Sequence, residues 1–234
     1  MDTEALEFLL QEQTPVDVSF ARFGSEKDGG YVVINDFKKD DYLITLGVEK
    51  NLSFEEDIQD KVEGVDLYDD RYAYNTLDKS KSRSYVERIG INDGETNLQD
   101  VVNRIERRNR DLILKMDIEG SEWSVLQNMP EGFLSQFRQI IIEFHPMRDG
   151  WYDLDVLREI NKTHQVVIAH TNNCGWWRVV NDVAIANVFE ITYARRSSYK
   201  FSKEENPGRA LLKPNTLRCK DFPIFFKLGT VKFK

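Results

Sequence analysis

The sequence predicts an α/β protein, a seven-stranded, mostly parallel sheet with helices on both faces. Three observations lead there. Short β-branched apolar runs alternate with helical patterns along most of the chain, the order expected of strands joined by crossover helices. One run, FRQIIIEFH at 137–145, is almost wholly apolar, which suits a central strand covered on both faces. A chain of 234 residues, 41% hydrophobic and 12% aromatic, is also long enough to bury the core that such a sheet needs.

The elements follow in order. YLITLG (42–47) is the first strand. SFEEDIQDKVEG then reads as a helix, with Ser53 and Glu56 spaced as a capping box and Gly64 closing it. VDLYD (65–69) is the second strand, DRYAYNTLDKSKSRS shows no helical period, and YVERIGI (85–91) is the third strand. NDGET is a turn, TNLQDVVNRIERRNR an amphipathic helix, and DLILKMD (111–117) the fourth strand. Arg104, Arg107, Arg108 and Arg110 fall on that helix as a solvated face. SEWSVLQNM makes a short helix with Ser121 as cap, stopped before Pro130, and 137–145 is the fifth strand. WYDLDVLREINKT is the next helix, HQVVIAHT (164–171) the sixth strand and NVFEITYARR (187–196) the seventh. The tail from Ser197, with Pro207, Gly208, Pro214 and Pro223, reads as irregular wrapping. The expected organisation is one domain over 1–234: an N-terminal segment 1–40, a core sheet 41–196 and a tail 197–234.

Net charge of −8 and a pI near 5.1 speak against nucleic acid as the partner, since phosphate binding needs a basic surface. No apolar run approaches the ~18 residues of a membrane span. MDTEALEFLL lacks the basic start and long apolar core of a signal peptide. The expected location is therefore cytoplasmic, for this chain or for a longer one of which it is a piece. Cys174 and Cys219 form neither a C-x-x-C pair nor a disulfide framework.

In open α/β sheets, ligands bind beyond the carboxyl ends of the strands. There the sequence places Gly47 and Glu49, Asp69 and Asp70, Asn92 and Asp93, and Asp117 and Glu119. Glu143 and His145 follow the fifth strand, and His170, Asn172 and Asn173 the sixth. The stretch DLILKMDIEGSEWSVL crowds Asp117, Glu119 and Glu122 at the end of a buried strand, where carboxylates repel and lose hydration unless a partner compensates them. Asp69 stands where an acidic residue accepts hydrogen bonds from a ribose diol. The loop LGVEKNLSFE has no G-x-G-x-x-G, so a pyrophosphate has no Gly-rich helix start to sit on. A cofactor with ribose and adenine but no phosphate fits better, and S-adenosylmethionine is the common one.

LKMDIEGSEWSVL resembles the K-x-D-x-E-G-x-E-x-x-x-L motif of FkbM-type methyltransferases, and FRQIIIEFH the strand that follows it in that family. RFGSEKDGGYVV, ITLGVEKNLSFEEDI, VDLYDD, IAHTNNCGWW and VFEITYARR are similar to segments of an FkbM-like branch with DGGY and H-x-N-N elements. The resemblance spans residues 22 to 196. It implies a class I (Rossmann-like) methyltransferase fold, S-adenosylmethionine as donor and an oxygen acceptor, often on a sugar or polyketide. Carried over, it implies that Gly47 and Glu49 line the methionine side, that Asp69 holds the ribose, and that Asp28, Gly30 and Tyr31 close over the cofactor from the N-terminal segment. Asn92, Asp117 and Glu119 complete the expected cofactor set. The single glycine in the first loop departs from the wider superfamily, which has two or three.

Methyl transfer is an in-line displacement, so the protein must hold an acceptor oxygen about 3 Å from the methyl carbon. A sugar hydroxyl also needs a general base or a metal ion. His145 and His170 are the candidate bases, with Asp117 beside them. The same rim offers Asp117, Glu143 and His170 as ligands for Mg²⁺ or Mn²⁺, so Asp117 faces a metal, a hydroxyl or the cofactor's amino group. Glu143, His145, Asn172, Asn173 and Trp176 are the expected substrate contacts, Trp151 and Trp177 lie near them, and Trp123 is expected to pack in the core. The expected activity is O-methylation of a sugar hydroxyl, on a nucleotide sugar or a surface-polysaccharide precursor. The alternative is a catalytically silent domain serving as a binding or assembly module. Association with a second copy or an attached biosynthetic domain is left open.

Overall fold

The computed structural model describes residues 2–105, 110–147 and 152–227. Its centre is a seven-stranded sheet: β1 (Tyr42–Leu46), β2 (Gly64–Asp69), β3 (Ser82–Val86), β4 (Leu112–Met116), β5 (Phe137–Phe144), β6 (His164–Thr171) and β7 (Phe189–Arg195). The order across the sheet is β3-β2-β1-β4-β5-β7-β6, parallel except for β7, which runs antiparallel to both neighbours. Among the described residues five α-helices accompany it: α1 (Thr3–Leu9), α2 (Ser53–Ile58), α3 (Leu98–Asn103), α4 (Glu122–Gln127) and α5 (Leu154–Thr163). Chain order departs from spatial order on either side of β1 and β4, and that reversal opens a crevice at their carboxyl ends.

Strands β1, β4 and β5 are buried along their whole length because apolar clusters cover both faces. The larger gathers Leu114, Trp123, Phe144, Leu157 and Phe189, and the smaller Tyr31, Leu43, Phe54, Leu67 and Ile141. Several polar groups in this core are paired. Lys115 donates to the Gly47 carbonyl at 3.1 Å, and Arg83 forks onto Asp66 at 2.8 and 2.9 Å. On the rim opposite the crevice, buried Arg138 pairs with Asp36 and Asp41. These arrangements offset the desolvation of the charges.

The helices are shorter than their sequence patterns. Ser53 is the first residue of α2 rather than its cap; its hydroxyl donates to Asn51 Oδ1 at 2.6 Å, so no capping box forms. Gly64 opens β2 instead of closing that helix. Asn97 caps α3 by accepting from the Asp100 N–H at 2.9 Å, and Asp153 caps α5. Arg104 pairs with Glu87 and Arg110 with Glu63, off the helix, while Arg107, Arg108 and Trp151 lie outside the described residues. The third strand begins and ends earlier than its apolar run, since parallel pairing with β2 aligns Ser82 with Val65 and stacks Tyr85 on Tyr68 at 4.6 Å.

Beyond the sheet, Phe20–Gly24 and Gly30–Ile34 form a hairpin, and Trp177–Val180, Val183–Ala186 and Phe225–Lys227 form a small antiparallel sheet. The tail is more regular than its composition suggests, for Phe201–Ser202 also pairs with Thr14–Pro15. Among the described residues no helix is long and apolar enough to cross a membrane.

Candidate functional site

At the carboxyl ends of β1, β2 and β4 lies a cavity of about 320 Å³, with Gly47, Glu49, Asp70, Ile89, Asp117 and Glu119 among its lining residues. Gly47 leaves β1 at φ +74°, and a Cβ there would stand 1.6 Å from the Asp117 carbonyl oxygen. No side chain fits, so β1 and β4 approach by backbone alone and leave the space open. Glu49 and Glu119 also adopt positive φ, turning both loops back over the crevice.

Asp69 lies at the cavity, but its carboxylate is fully engaged. Oδ1 accepts from the N–H groups of Arg71 (2.8 Å) and Tyr72 (3.0 Å). Oδ2 accepts from Val48 (3.3 Å), Glu49 (2.9 Å) and the Tyr74 hydroxyl (3.1 Å). Burial alone would raise this carboxyl, but the hydrogen bonds outweigh it and hold it below its ordinary value. Asp69 thereby clasps the β1 and β2 loops together, with both carboxylate oxygens already accepting hydrogen bonds at the position expected of a ribose ligand. Glu49, paired with Arg71 at 3.0 Å, and Asp70 keep exposed carboxylates beside it.

Asn92, expected in the cofactor set, is not among the residues that line the cavity. Because β3 ends at Val86, the loop presents Glu87, Arg88 and Ile89 to the cavity, and the Asn92 amide turns to Glu95 at 2.8 Å. The DGGY element falls on the other side of Asp117. Asp28 reaches Asn172 and Asn215, at 3.4 and 3.0 Å. Gly30 backs onto Ser25 and Arg22, and Tyr31 packs edge-on against Phe54. These three residues lie outside the lining of that cavity.

That side is strongly acidic. Glu143 on β5 lies directly opposite Glu190 on β7, which lies opposite His170 on β6. Burial pushes the Glu143 carboxyl well up, and Asp117, Glu190 and Asp28 add to it, while Asn172 donates to it at 2.8 Å. Burial likewise raises the Asp117 carboxyl to about 6, against the pull of Lys115 and His145. The His145 ring is fixed by Glu122: Nδ1 stands 3.1 Å from Glu122 Oε1, and that fully buried carboxylate also accepts from the Ile118 and Gly120 N–H groups. His145 Nε2 thereby faces Glu119 at 3.6 Å and Glu143 at 3.8 Å. Trp123, buried as expected, donates to the His145 carbonyl at 2.6 Å. Ser121 stands at the N-cap of α4, but its side chain makes no cap bond.

Asp117, Glu143 and His145 each offer a donor atom within 4.8 Å of the others, a set suited to a hard or borderline divalent ion. His170 does not belong to it. Its ring lies between Glu190 (3.3 Å) and Asp221 (3.2 Å). Burial would lower its pKa, but the two carboxylates lift it to about 9. Both carboxylates hold the ring toward its protonated form, and they, rather than Asp117 and Glu143, are the partners of the residue expected as a base and a metal ligand. Asn173 turns away from the crevice to bond Thr216 and Cys219. Trp176 is 79% exposed, and Trp177 packs edge-on against Phe222. Glu122, Glu190 and Asn215 were missed: Glu122 and Glu190 stood in the quoted motifs without a role, and Asn215 carried no signal in a tail read as irregular.

A sheet in this order, with a backbone-lined cavity beside a polar cluster at the switch point, defines a class I methyltransferase architecture. The family model for the methyltransferase FkbM domain matches residues 15–175, well over half of the chain, and the chain belongs to that family. No curated protein matches it. Among solved structures, a Streptococcus mutans protein described as a methyltransferase in complex with SAH overlaps at 11% identity and TM-score 0.35, covering 68% of this chain and 88% of the other. An rRNA methylase from Streptococcus thermophilus overlaps at 10% identity and TM-score 0.38, covering 68% and 89%. Overlap at that level is too slight to define a shared site.

Proposed function

We propose that the protein is an S-adenosylmethionine-dependent O-methyltransferase acting on a sugar hydroxyl, carried by a nucleotide sugar or a surface-polysaccharide precursor. The observation that carries this reading is the junction at Asp117, where a cavity built from backbone turns meets a cluster of carboxylates and one oriented histidine. The residues present fit the cofactor. The room that Gly47 leaves suits the methionine portion, Glu49 and Asp70 can accept from a ribose diol, Ile89 offers an apolar face to an adenine ring, and Asp117 and Glu119 can pair with an ammonium group.

When bound, S-adenosylmethionine supplies an electrophilic methyl carbon on a sulfonium. The chain's part is positioning and proton transfer. Asn172 and Glu143 hold acceptor hydroxyls, and His145 receives the hydroxyl proton at Nε2 while Glu122 holds its Nδ1–H. A second reading rests on the convergence of Asp117, Glu143 and His145: a divalent ion such as Mg²⁺ or Mn²⁺ held there would lower the acceptor hydroxyl's pKa and relieve the repulsion between the carboxylates.

Methyl transfer to a panel of nucleotide sugars, with and without EDTA, tests both. Transfer that survives chelation supports His145 as base; loss on chelation with recovery on adding Mg²⁺ supports the metal. A protein that binds S-adenosylhomocysteine but methylates no sugar would overturn the sugar reading and leave a binding or assembly module as the alternative.

A further inference from the structure

Four of the nine large apolar side chains exposed among the described residues lie on neighbouring segments: Trp176, Trp177, Val179 and Leu217. Trp177 and Val179 alternate along one strand of the small antiparallel sheet and so share a face of it. The Trp177 ring is backed by Phe222 at 5.3 Å and Phe226 at 6.2 Å, centroid to centroid. Leu217 is brought to the same place by Asn173, whose Nδ2 donates to the Thr216 and Cys219 carbonyls at 2.9 and 3.0 Å and whose Oδ1 accepts from the Thr216 N–H at 2.9 Å. Scattered apolar side chains on a surface mean little, but a group of them marks a contact face.

The charge on this face is opposite to that of the protein as a whole. Arg218 and Lys220 are exposed and enter no salt bridge among the described residues, and exposed Lys227 lies across from Val183 on the small sheet. Asp221, the acidic residue next to Lys220, is held by His170 at 3.2 Å, and Asp182 sits apart at the hairpin tip. From Ser197 onward the sequence carries nine Lys and Arg against three Asp and Glu, in a chain of net charge −8. All of the face lies beyond residues 15–175, which the family model matches. A bilayer surface rich in anionic lipid fits both features. Its headgroups attract Arg and Lys, while indole rings and aliphatic side chains settle at the boundary between headgroups and acyl chains. The same headgroups repel the acidic remainder of the chain, which turns this face toward them. A second copy meeting the first through this face would set like charges together, and a single-stranded RNA would stack on the tryptophans but leave Leu217 and Val179 without a partner.

We propose that this face docks the protein on an anionic membrane surface, with Trp176, Trp177 and Leu217 entering the interface and Arg218 and Lys220 meeting the headgroup phosphates. The inference does not depend on the sugar reading. Asn172, which donates to Glu143 at 2.8 Å, begins the loop that carries Trp176, so the docking face adjoins the carboxylate cluster at the strand ends.

The test is co-sedimentation of the full chain with vesicles of phosphatidylcholine alone and of equal phosphatidylcholine and phosphatidylglycerol. Wild type is compared with Arg218→Glu/Lys220→Glu and Trp176→Ala/Leu217→Ala, each checked for an unchanged melting temperature. Wild type is expected to bind the anionic vesicles at least about tenfold more tightly than the neutral ones, and less tightly as salt rises. Each double variant is expected to lose about tenfold or more of that affinity, the first by charge and the second by apolar contact. Four results overturn the proposal: no binding to anionic vesicles, equal binding to both kinds, undiminished binding in either double variant, or binding to a poly(U) RNA or to a second copy where vesicles are not bound. Should a double variant fail to fold, Lys220→Glu and Leu217→Ser, at exposed positions, make the same comparison.

Discussion

On the half of the rim proposed for the cofactor, Asp69 accepts from four backbone N–H groups; on the half proposed for the acceptor, Asp28, Glu143 and Glu190 face one another within 4.8 Å. The first half is made by chain turns: Gly47, Glu49 and Glu119 at positive φ, with no side chain tolerated at Gly47. The second is made by side chains from β5, β6, β7, the N-terminal hairpin and the tail. Backbone geometry is set by the fold and accepts one cofactor, whereas clustered side chains can change without moving the sheet. Cofactor binding and acceptor choice should therefore respond to different mutations.

The largest separation is expected from Gly47→Val, which places a branched side chain against the Asp117 carbonyl and forces φ from +74°. A stability loss of about 3 kcal/mol or more, read by chemical denaturation, is expected. His145→Ala acts on the other half: kcat should fall by about 10²–10⁴-fold with affinity for S-adenosylhomocysteine within about twofold. A matching loss of affinity would merge the two halves. Asp69→Ala strands several backbone N–H groups and should cost about 1–3 kcal/mol, with weaker cofactor binding as the clasped loops part.

Two histidines at opposite ends of β6 sharpen the contrast by pH. His164 is buried, with Nε2 on the Phe137 carbonyl at 2.9 Å, and burial lowers its pKa to about 4. Its folded pKa is below the unfolded value, so its contribution is present above about 6.5 and lost as pH falls toward 4. His170, lifted to about 9 against Glu190 and Asp221, contributes fully below about 6.5 and loses that contribution as pH rises through 9. Melting curves of wild type and His170→Gln should therefore converge between pH 7 and 10, closing a gap of about 1–3 kcal/mol. Curves that stay parallel would remove the ionic pairing of His170 with Glu190 and Asp221. Smallest of all, Trp176→Ala, at an exposed position, should shift stability by no more than about 0.5 kcal/mol.

Much of the sheet was legible because β1, β4 and β5 are apolar along most of their length, the mark of strands covered on both faces. The third strand slipped because it is an edge strand whose register follows its partner β2 rather than its own apolar run. The rim could be read as a set of strand ends, but not the partners its members choose. Asp69 and Asn92 both carry the expected chemistry, yet one is occupied by N–H groups and the other by Glu95. His170 reads as a base until Asp221, 51 residues later in the chain, is seen beside it. Long-range pairings of this kind leave no trace in local spacing, which is also why Glu190 and Asn215 went unassigned.

The central claim is that the strand-end cavity holds an S-adenosyl cofactor and that the acidic half does not contribute to that binding. Calorimetric titration with S-adenosylhomocysteine of wild type, His145→Ala and Gly47→Val tests it directly. The expected result is one site with a Kd of about 1–100 μM in wild type and His145→Ala, and none in Gly47→Val at a temperature where the variant is still folded. Absence of binding to wild type at millimolar ligand, or undiminished binding to folded Gly47→Val, would contradict the account.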